Sequence, residues 1–233
     1  MMSQSPVGFT VLFEDNHLLV VNKEAGVLVQ GDATGDTPLA DLAKEYIKQR
    51  YGKPGDVFLG VVHRLDRPVS GVVVLARTTK ALERMNALFR EKETTKIYWA
   101  IVKERPVLSE GSLLHWLLKD EKKNKTTAYK QETAGALRAE LNFKVVGAAE
   151  DRWLVEVNPI TGRPHQIRVQ LASMGCVISG DVKYGDKTGN PDGSIYLHAR
   201  RLSFVHPVKK EFMTFEAPVP DKGMWKYFRN FEN

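Results

Sequence analysis

Two short apolar runs, Phe58-Leu59-Gly60-Val61-Val62 and Val72-Val73-Val74-Leu75-Ala76, flank the stretch His63-Arg64-Leu65-Asp66-Arg67-Pro68-Val69-Ser70-Gly71. Each run is too short and too β-branched for a helix, so both are expected to be buried strands. The chain must therefore hold a dense group of charges between two strands of its core. A strand running into His63-Arg64-Leu65-Asp66 alternates its side chains, which would put Arg64 and Asp66 on one side, a strand pitch apart. A guanidinium at that distance favours an ionised carboxylate, which suits Asp66 to nucleophile or base work. A plainer role fits the same residues: Asp66 closes a turn with Pro68, Ser70 and Gly71 and makes an ordinary ion pair. Structural ion pairs outnumber active sites, so these residues alone leave both roles open.

Upstream, residues 9–13 and 18–22 read as a hairpin across Glu14-Asp15-Asn16-His17, with residues 1–8 as a mobile tail. Asn22-Lys23-Glu24-Ala25-Gly26 follows, with a tight bend at Gly26. Thr37 as N-cap and Pro38 at the first helical position predict a helix that buries Leu39, Leu42, Ala43, Tyr46 and Ile47 and stops at Gly52 and Pro54. Thr78 or Thr79 caps a second helix with Leu82, Met85, Leu88 and Phe89 on one side. Residues 96–102 predict a strand apolar on both faces. Within it, Tyr98 is either a core tyrosine or a ring that stacks on a nucleobase. Residues 103–135 are the most polar part, with Lys119, Lys122, Lys123, Lys125 and Lys130 around Asp120 and Glu121. They read as a solvated loop or as a basic hairpin that touches phosphates. Strands at 141–146 and 153–157 precede Thr161-Gly162-Arg163-Pro164-His165-Gln166-Ile167-Arg168. There Pro164, Ile167, Leu171 and Met174 predict a short helix ended by Gly175. Its first turn would carry Arg163, His165 and Arg168 at the positive end of the helix dipole, a place for a phosphate or carboxylate. A strand near 212–215 and an aromatic helix at 225–231 close the chain.

Lys and Arg number 34 against 28 Asp and Glu, a net charge of +6, which has the sign expected of a nucleic-acid partner. No apolar run approaches the roughly 18 residues of a membrane span, and the first residues lack the pattern of a signal peptide. A cytoplasmic location is the default expectation. Cys176, the single cysteine, reads as a small core residue. The six histidines show neither i,i+4 pairing nor cysteine partners, so no zinc site is predicted, while scattered carboxylates leave a magnesium site open.

Three blocks carry a resemblance. His63-Arg64-Leu65-Asp66 with Ser70-Gly71, Lys96-Ile97-Tyr98-Trp99-Ala100, and Thr161-Gly162-Arg163-Pro164-His165-Gln166-Ile167-Arg168 resemble, in order, the shared blocks of the RluA-type pseudouridine synthases. The likeness extends over about residues 10–217. It implies an α+β fold: a bent, mostly antiparallel mixed β-sheet flanked by helices, one catalytic domain over 9–233 with two half-sheets around a central cleft. It implies Asp66 as the catalytic carboxylate, Tyr98 against the target base, Arg168 paired with Asp66 and Ile167 as an apolar wall. Arg64 would fill the space left by a flipped uridine, with His63, Arg163 and His165 as further substrate contacts. The implied reaction needs no cofactor and no metal. The implied partner is a tRNA or rRNA stem-loop, bound without a membrane or an obligatory protein partner, by a monomer. Since the first strand is expected at Phe9, the resemblance is to a stand-alone catalytic domain without the S4 domain of many relatives. Glu24 replaces a common Pro, Val69 a common Thr and Gln170 a common His. A metal-dependent nuclease and a non-catalytic RNA chaperone are the competing functions.

Overall fold

The structure is a computed structural model that describes residues 7–232, so most of the expected N-terminal tail lies outside the described residues. The chain forms two compact units: one up to Thr95 together with Ala199–Pro218, the other Lys96–His198 together with the stretch from Val219 onward.

The first unit contains β1 (Phe9–Glu14), β2 (Leu18–Lys23), α1 (Leu39–Tyr51), β3 (Gly60–Val61), β4 (Ser70–Ala76), α2 (Thr79–Arg90), nearly all of β10 (Leu197–Val205) and β11 (Phe212–Glu216). Its strands lie in the order β1-β2-β4-β10, with β11 on β10 and β3 on β4. The β1–β2, β2–β4, β3–β4 and β10–β11 pairs are antiparallel. The expected hairpin turn is closed by the Asp15 carboxylate, which accepts from the N–H groups of His17 and Leu18 at 2.8 Å each. Val20, Val72 and Val74 pack with Ala81, Met85, Phe204 and Phe215 into the core of this unit. Thr78 caps α2 as expected, accepting from Ala81 N–H at 3.1 Å.

Two expectations are corrected here. Pro38, with ψ of 160°, is itself the N-cap of α1, and no side chain caps the helix. The first helical N–H groups find backbone acceptors instead: Leu39 donates to Leu28 C=O and Ala40 to Val29 C=O, at 2.7 and 3.3 Å. The strand expected at 58–62 shrinks to Gly60–Val61. The reason is lateral crowding on β4. β2 covers one edge of β4 from Gly71 to Ala76, so β3 and β10 must share the other, and β3 is left only Leu75 and Ala76.

Gly71 shows how closely β10 approaches. Its φ is 118°, and a Cβ at this position would overlap the backbone of Ala199. Gly71→Ala therefore combines a disfavoured backbone conformation with a main-chain clash, and is expected to cost roughly 3 kcal/mol or more, read from urea unfolding. A loss below about 1 kcal/mol would mean that β10 yields there.

The second unit contains nearly all of β5 (Thr95–Val102), β6 (Glu110–Asp120), β7 (Lys125–Tyr129), β8 (Leu137–Ala149), β9 (Arg152–Pro159), α3 (Gln166–Ser173) and 3₁₀ segments at Val182–Tyr184 and Gly223–Phe231. The strand order is β5-β9-β8-β6-β7, antiparallel at each step. Alternation along β5 sends Ile97, Trp99 and Ile101 into a core with Leu154, Val219, Trp225 and Phe228. Of the two readings of the polar stretch, the hairpin is found: β6 and β7 pair from Trp116↔Tyr129 to Asp120↔Lys125. The aromatic C-terminal segment is 3₁₀ rather than α-helical. Strands and helices together make an α+β protein whose pairing is mostly antiparallel.

Candidate active site

The block His63–Val69 has no place on a strand ladder and forms a loop between β3 and β4. Strand alternation therefore does not set the relation of Arg64 to Asp66; Arg64 is exposed and Asp66 half-buried on irregular backbone. The loop is nonetheless tightly held. His63 Nε2 accepts from Val74 N–H at 3.1 Å, on the β4 edge that β3 leaves open, and the His63 ring stacks on Phe89 at 4.8 Å. These contacts make His63 the anchor of the loop's first residue. Leu65 and Val69 are buried, and Val69 N–H donates to Asp66 C=O at 3.0 Å, closing a turn across Pro68. The turn role weighed for Asp66 thus falls to its backbone, whose carbonyl closes the turn.

Just beyond Asp66, Arg67 ties this loop to the bend after β2. Arg67 C=O accepts from Gly26 N–H at 2.8 Å, and Arg67 Nε donates to Gly26 C=O at 3.0 Å. Its guanidinium also meets Asp36 at 2.6 Å. Lys23, wholly buried, donates from Nζ to the carbonyls of Glu24 and Val27 at 2.9 and 2.8 Å, with Arg67 C=O at 3.5 Å. The ammonium thus spans both loops next to the Asp66 backbone. At Glu24, the N–H donates to Gly8 C=O at 2.9 Å, a bond that the proline common at this position could not make.

Burial pushes the Lys23 ammonium down to about 7, the Asp66 carboxylate acting against that shift and the Arg67 charge with it. An unfolded lysine keeps its proton up to about 10.5, so between the two values the unfolded chain holds the extra proton and stability rises with pH. Lys23→Met is expected to lose that rise. Urea midpoints for both proteins at about pH 7 and about pH 10 check it, and equal slopes would contradict it.

In the second unit, residues 161–168 are organised by Gln166. Its Oε1 accepts from Thr161 Oγ1 at 2.8 Å and Arg163 N–H at 2.9 Å, while its Nε2 donates to Glu140 C=O at 3.0 Å. This folds the stretch before α3 into a turn. Arg163 and His165 consequently precede the helix rather than occupying its first turn, and His165 is the N-cap, with φ of 55°. Arg163 Nε donates to Arg138 C=O at 3.1 Å. Ile167 and Arg168 are buried. Arg168 grips one of the protein's own carboxylates, donating from Nε and Nη2 to the two oxygens of Asp181 at 2.7 and 2.8 Å. The Arg168 guanidinium lies 5.1 Å from the ring centroid of Tyr184, whose hydroxyl is 2.7 Å from His165 Nδ1. Gln170 is wholly buried and donates to Leu113 C=O at 3.2 Å, so the departure there concerns packing within this unit.

His63, Arg64 and Asp66 thus share one loop of the first unit. Arg163, His165, Ile167 and Arg168 share the start of α3 in the second unit, and Tyr98 is half-buried on β5 of that unit, on the face opposite Trp99. Lys23, Gln166, Asp181 and Tyr184 support the candidate residues, and sequence reasoning passed over them. The signal for Lys23 was a lysine ending an apolar strand; for Asp181 and Tyr184 it was the glycine-bounded segment Gly180-Asp181-Val182-Lys183-Tyr184-Gly185, inside the span of the resemblance. Among the described residues no group of three or more His, Cys, Asp or Glu is placed to hold a metal ion, and no helix is long and apolar enough to cross a membrane.

The profile of the RNA pseudouridylate synthase family matches residues 17–173. The ribosomal large subunit pseudouridine synthase C of Vibrio parahaemolyticus is 34% identical over 218 residues, covering 91% of this chain and 66% of that protein. The protein of the same name from Escherichia coli K12 is 32% identical over 231 residues, covering 96% of this chain and 70% of its own length. The chain thus spans about two thirds of the length of these curated relatives. Among solved structures, human RNA pseudouridylate synthase domain containing 4 superposes with a TM-score of 0.76 at 26% identity, covering 95% of this chain and 90% of that one. Human RNA pseudouridylate synthase domain containing 1 shares the fold, with a TM-score of 0.72 at 21% identity over 100% of this chain and 98% of its own. With a family match over more than half of its residues and relatives above 30% identity along nearly its whole length, the chain belongs to the RNA pseudouridylate synthase family, of the RluA type that its three blocks resemble.

Proposed function

We propose that this protein isomerises uridine to pseudouridine in RNA, with Asp66 as the catalytic carboxylate. The observation that carries the reading is the clamp on the Asp66 loop. The turn after Asp66 is closed by a backbone bond, and Arg67 is tied to Gly26 by one backbone and one side-chain bond, so that Asp66 sits half-buried on a rigid frame. The reaction breaks the bond between ribose C1′ and uracil N1, forms one between C1′ and C5, releases the C5 proton and returns a proton to N1. Nothing is oxidised and no group enters. A carboxylate at the sugar, a surface for the detached base and exclusion of water are what it requires.

Tyr98 would stack on the base and serve in proton transfer, Ile167 would wall the pocket, and Arg168 would orient Asp66. Arg64, exposed on the same loop as Asp66, would fill the gap left by the flipped nucleotide, and Arg163 and His165 would meet the RNA. The names of the relatives favour large-subunit ribosomal RNA over tRNA as the target. The test is incubation with ribosomal RNA that lacks its modifications, in chelator, followed by carbodiimide mapping of pseudouridine. Discrete new stops in large-subunit RNA are the expected result. Chain cleavage that stops in chelator would replace this reading with a nuclease.

A further inference from the structure

Tyr184 has no part in the chemistry above, yet its side chain touches both His165 and Arg168 at the start of α3. Its backbone N–H donates to Asp181 C=O at 3.1 Å within the 3₁₀ turn, so one turn carries both the carboxylate that grips Arg168 and the ring that lies against it. Its hydroxyl accepts from Thr126 N–H at 2.9 Å, beside the turn of the basic β6–β7 hairpin. Thr126 Oγ1 in turn donates to Pro164 C=O at 3.0 Å, directly before His165.

A phenol oxygen has one proton and two lone pairs. One lone pair is taken by Thr126 N–H, and the shortest contact, 2.7 Å, is to His165 Nδ1. A phenol proton in that contact lets the one oxygen satisfy both Thr126 N–H and His165 Nδ1. A proton on Nδ1 would instead make the oxygen accept twice and turn the phenol proton from its shortest contact to the Thr126 hydroxyl, which already donates to Pro164 C=O. We propose that Tyr184 is a positioning residue: its hydroxyl fixes His165 as the neutral tautomer that carries its proton on Nε2, and its ring holds the guanidinium of Arg168. The two basic side chains at the start of α3 are thereby set before RNA arrives, His165 offering an N–H donor suited to a phosphate or uracil carbonyl oxygen. This rests on the reading that both residues serve an RNA reaction.

Tyr184→Phe keeps the ring and removes the hydroxyl. Two readouts separate positioning from bulk stability: the ¹⁵N spectrum of the His165 imidazole, assigned with His165→Gln, and single-turnover rates beside the affinity for RNA. The intact protein is expected to show Nδ1 as acceptor and Nε2 protonated. The variant is expected to move toward the other tautomer, with turnover about tenfold slower or more and RNA affinity within about twofold. A proton on Nδ1 in the intact protein overturns the proposal without any variant. An altered spectrum with full turnover overturns the positioning role. An intact protein that turns over no RNA, with the tautomer as expected, counts against the proposed function and not against the His165 geometry.

Discussion

Asp66→Asn is expected to slow pseudouridine formation on the order of 10³-fold or more while leaving RNA affinity within a few-fold. The substitution is nearly isosteric, and much of the loop's shape is held by its backbone and its apolar residues. Val69 N–H bonds the Asp66 carbonyl, Gly26 and Lys23 bond the Arg67 carbonyl, and Leu65 and Val69 anchor the loop in the core. What the variant removes is the negative charge and the lone pair that the sugar or base would meet. Single-turnover kinetics with a direct RNA-binding measurement separate the two effects. Equal losses of rate and affinity would mean that Asp66 holds RNA rather than reacting with it. Near-full activity would return Asp66 to the structural role that its sequence also allowed.

Asp181→Ala has the largest expected effect on stability. Arg168 and Asp181 keep only 6% and 1% of their side-chain surface exposed and share two charge-assisted bonds. Removing the carboxylate leaves a buried guanidinium without that partner, at a cost of about 3–5 kcal/mol. By comparison, the exposed pair of Lys44 and Asp41 at 2.9 Å is worth about 0–1 kcal/mol. Urea unfolding of Asp181→Ala, Arg168→Leu and the double variant measures the coupling directly. A single-variant loss under about 1 kcal/mol would show that Arg168 draws its hold from elsewhere.

How much of this was legible in the chain depended on how local the cause was. β2, β4 and β5 are short β-branched runs and were readable as strands from their own composition; the Asp15 turn and the Thr78 cap are likewise contacts within three residues. The strand expected at 58–62 failed because the length of β3 is set by β10, which shares its edge of β4 and arrives more than a hundred residues later. Thr37 lost its cap role to carbonyls at Leu28 and Val29, a loop closure invisible in the Thr-Pro pair. The candidate site divides in the same way. Its blocks are contiguous, so Asp66, Arg168 and their neighbours could be named. Their supports reach across sequence: Lys23 to Arg67, Asp181 to Arg168, and Tyr184 to both His165 and Thr126. The strand expected to run through Arg64 and Asp66 ends at Val61, and a turn across Pro68 follows, so no ladder sets their relation.

The most direct measurement is tritium release from RNA labelled at uridine C5, with chelator present, for the intact protein and Asp66→Asn side by side. Rejoining the base through C5 must expel that hydrogen, so the account predicts release by the intact protein, unbroken RNA chains, and none above background from the variant. Equal release by both proteins, or release that stops with the chelator, would contradict it.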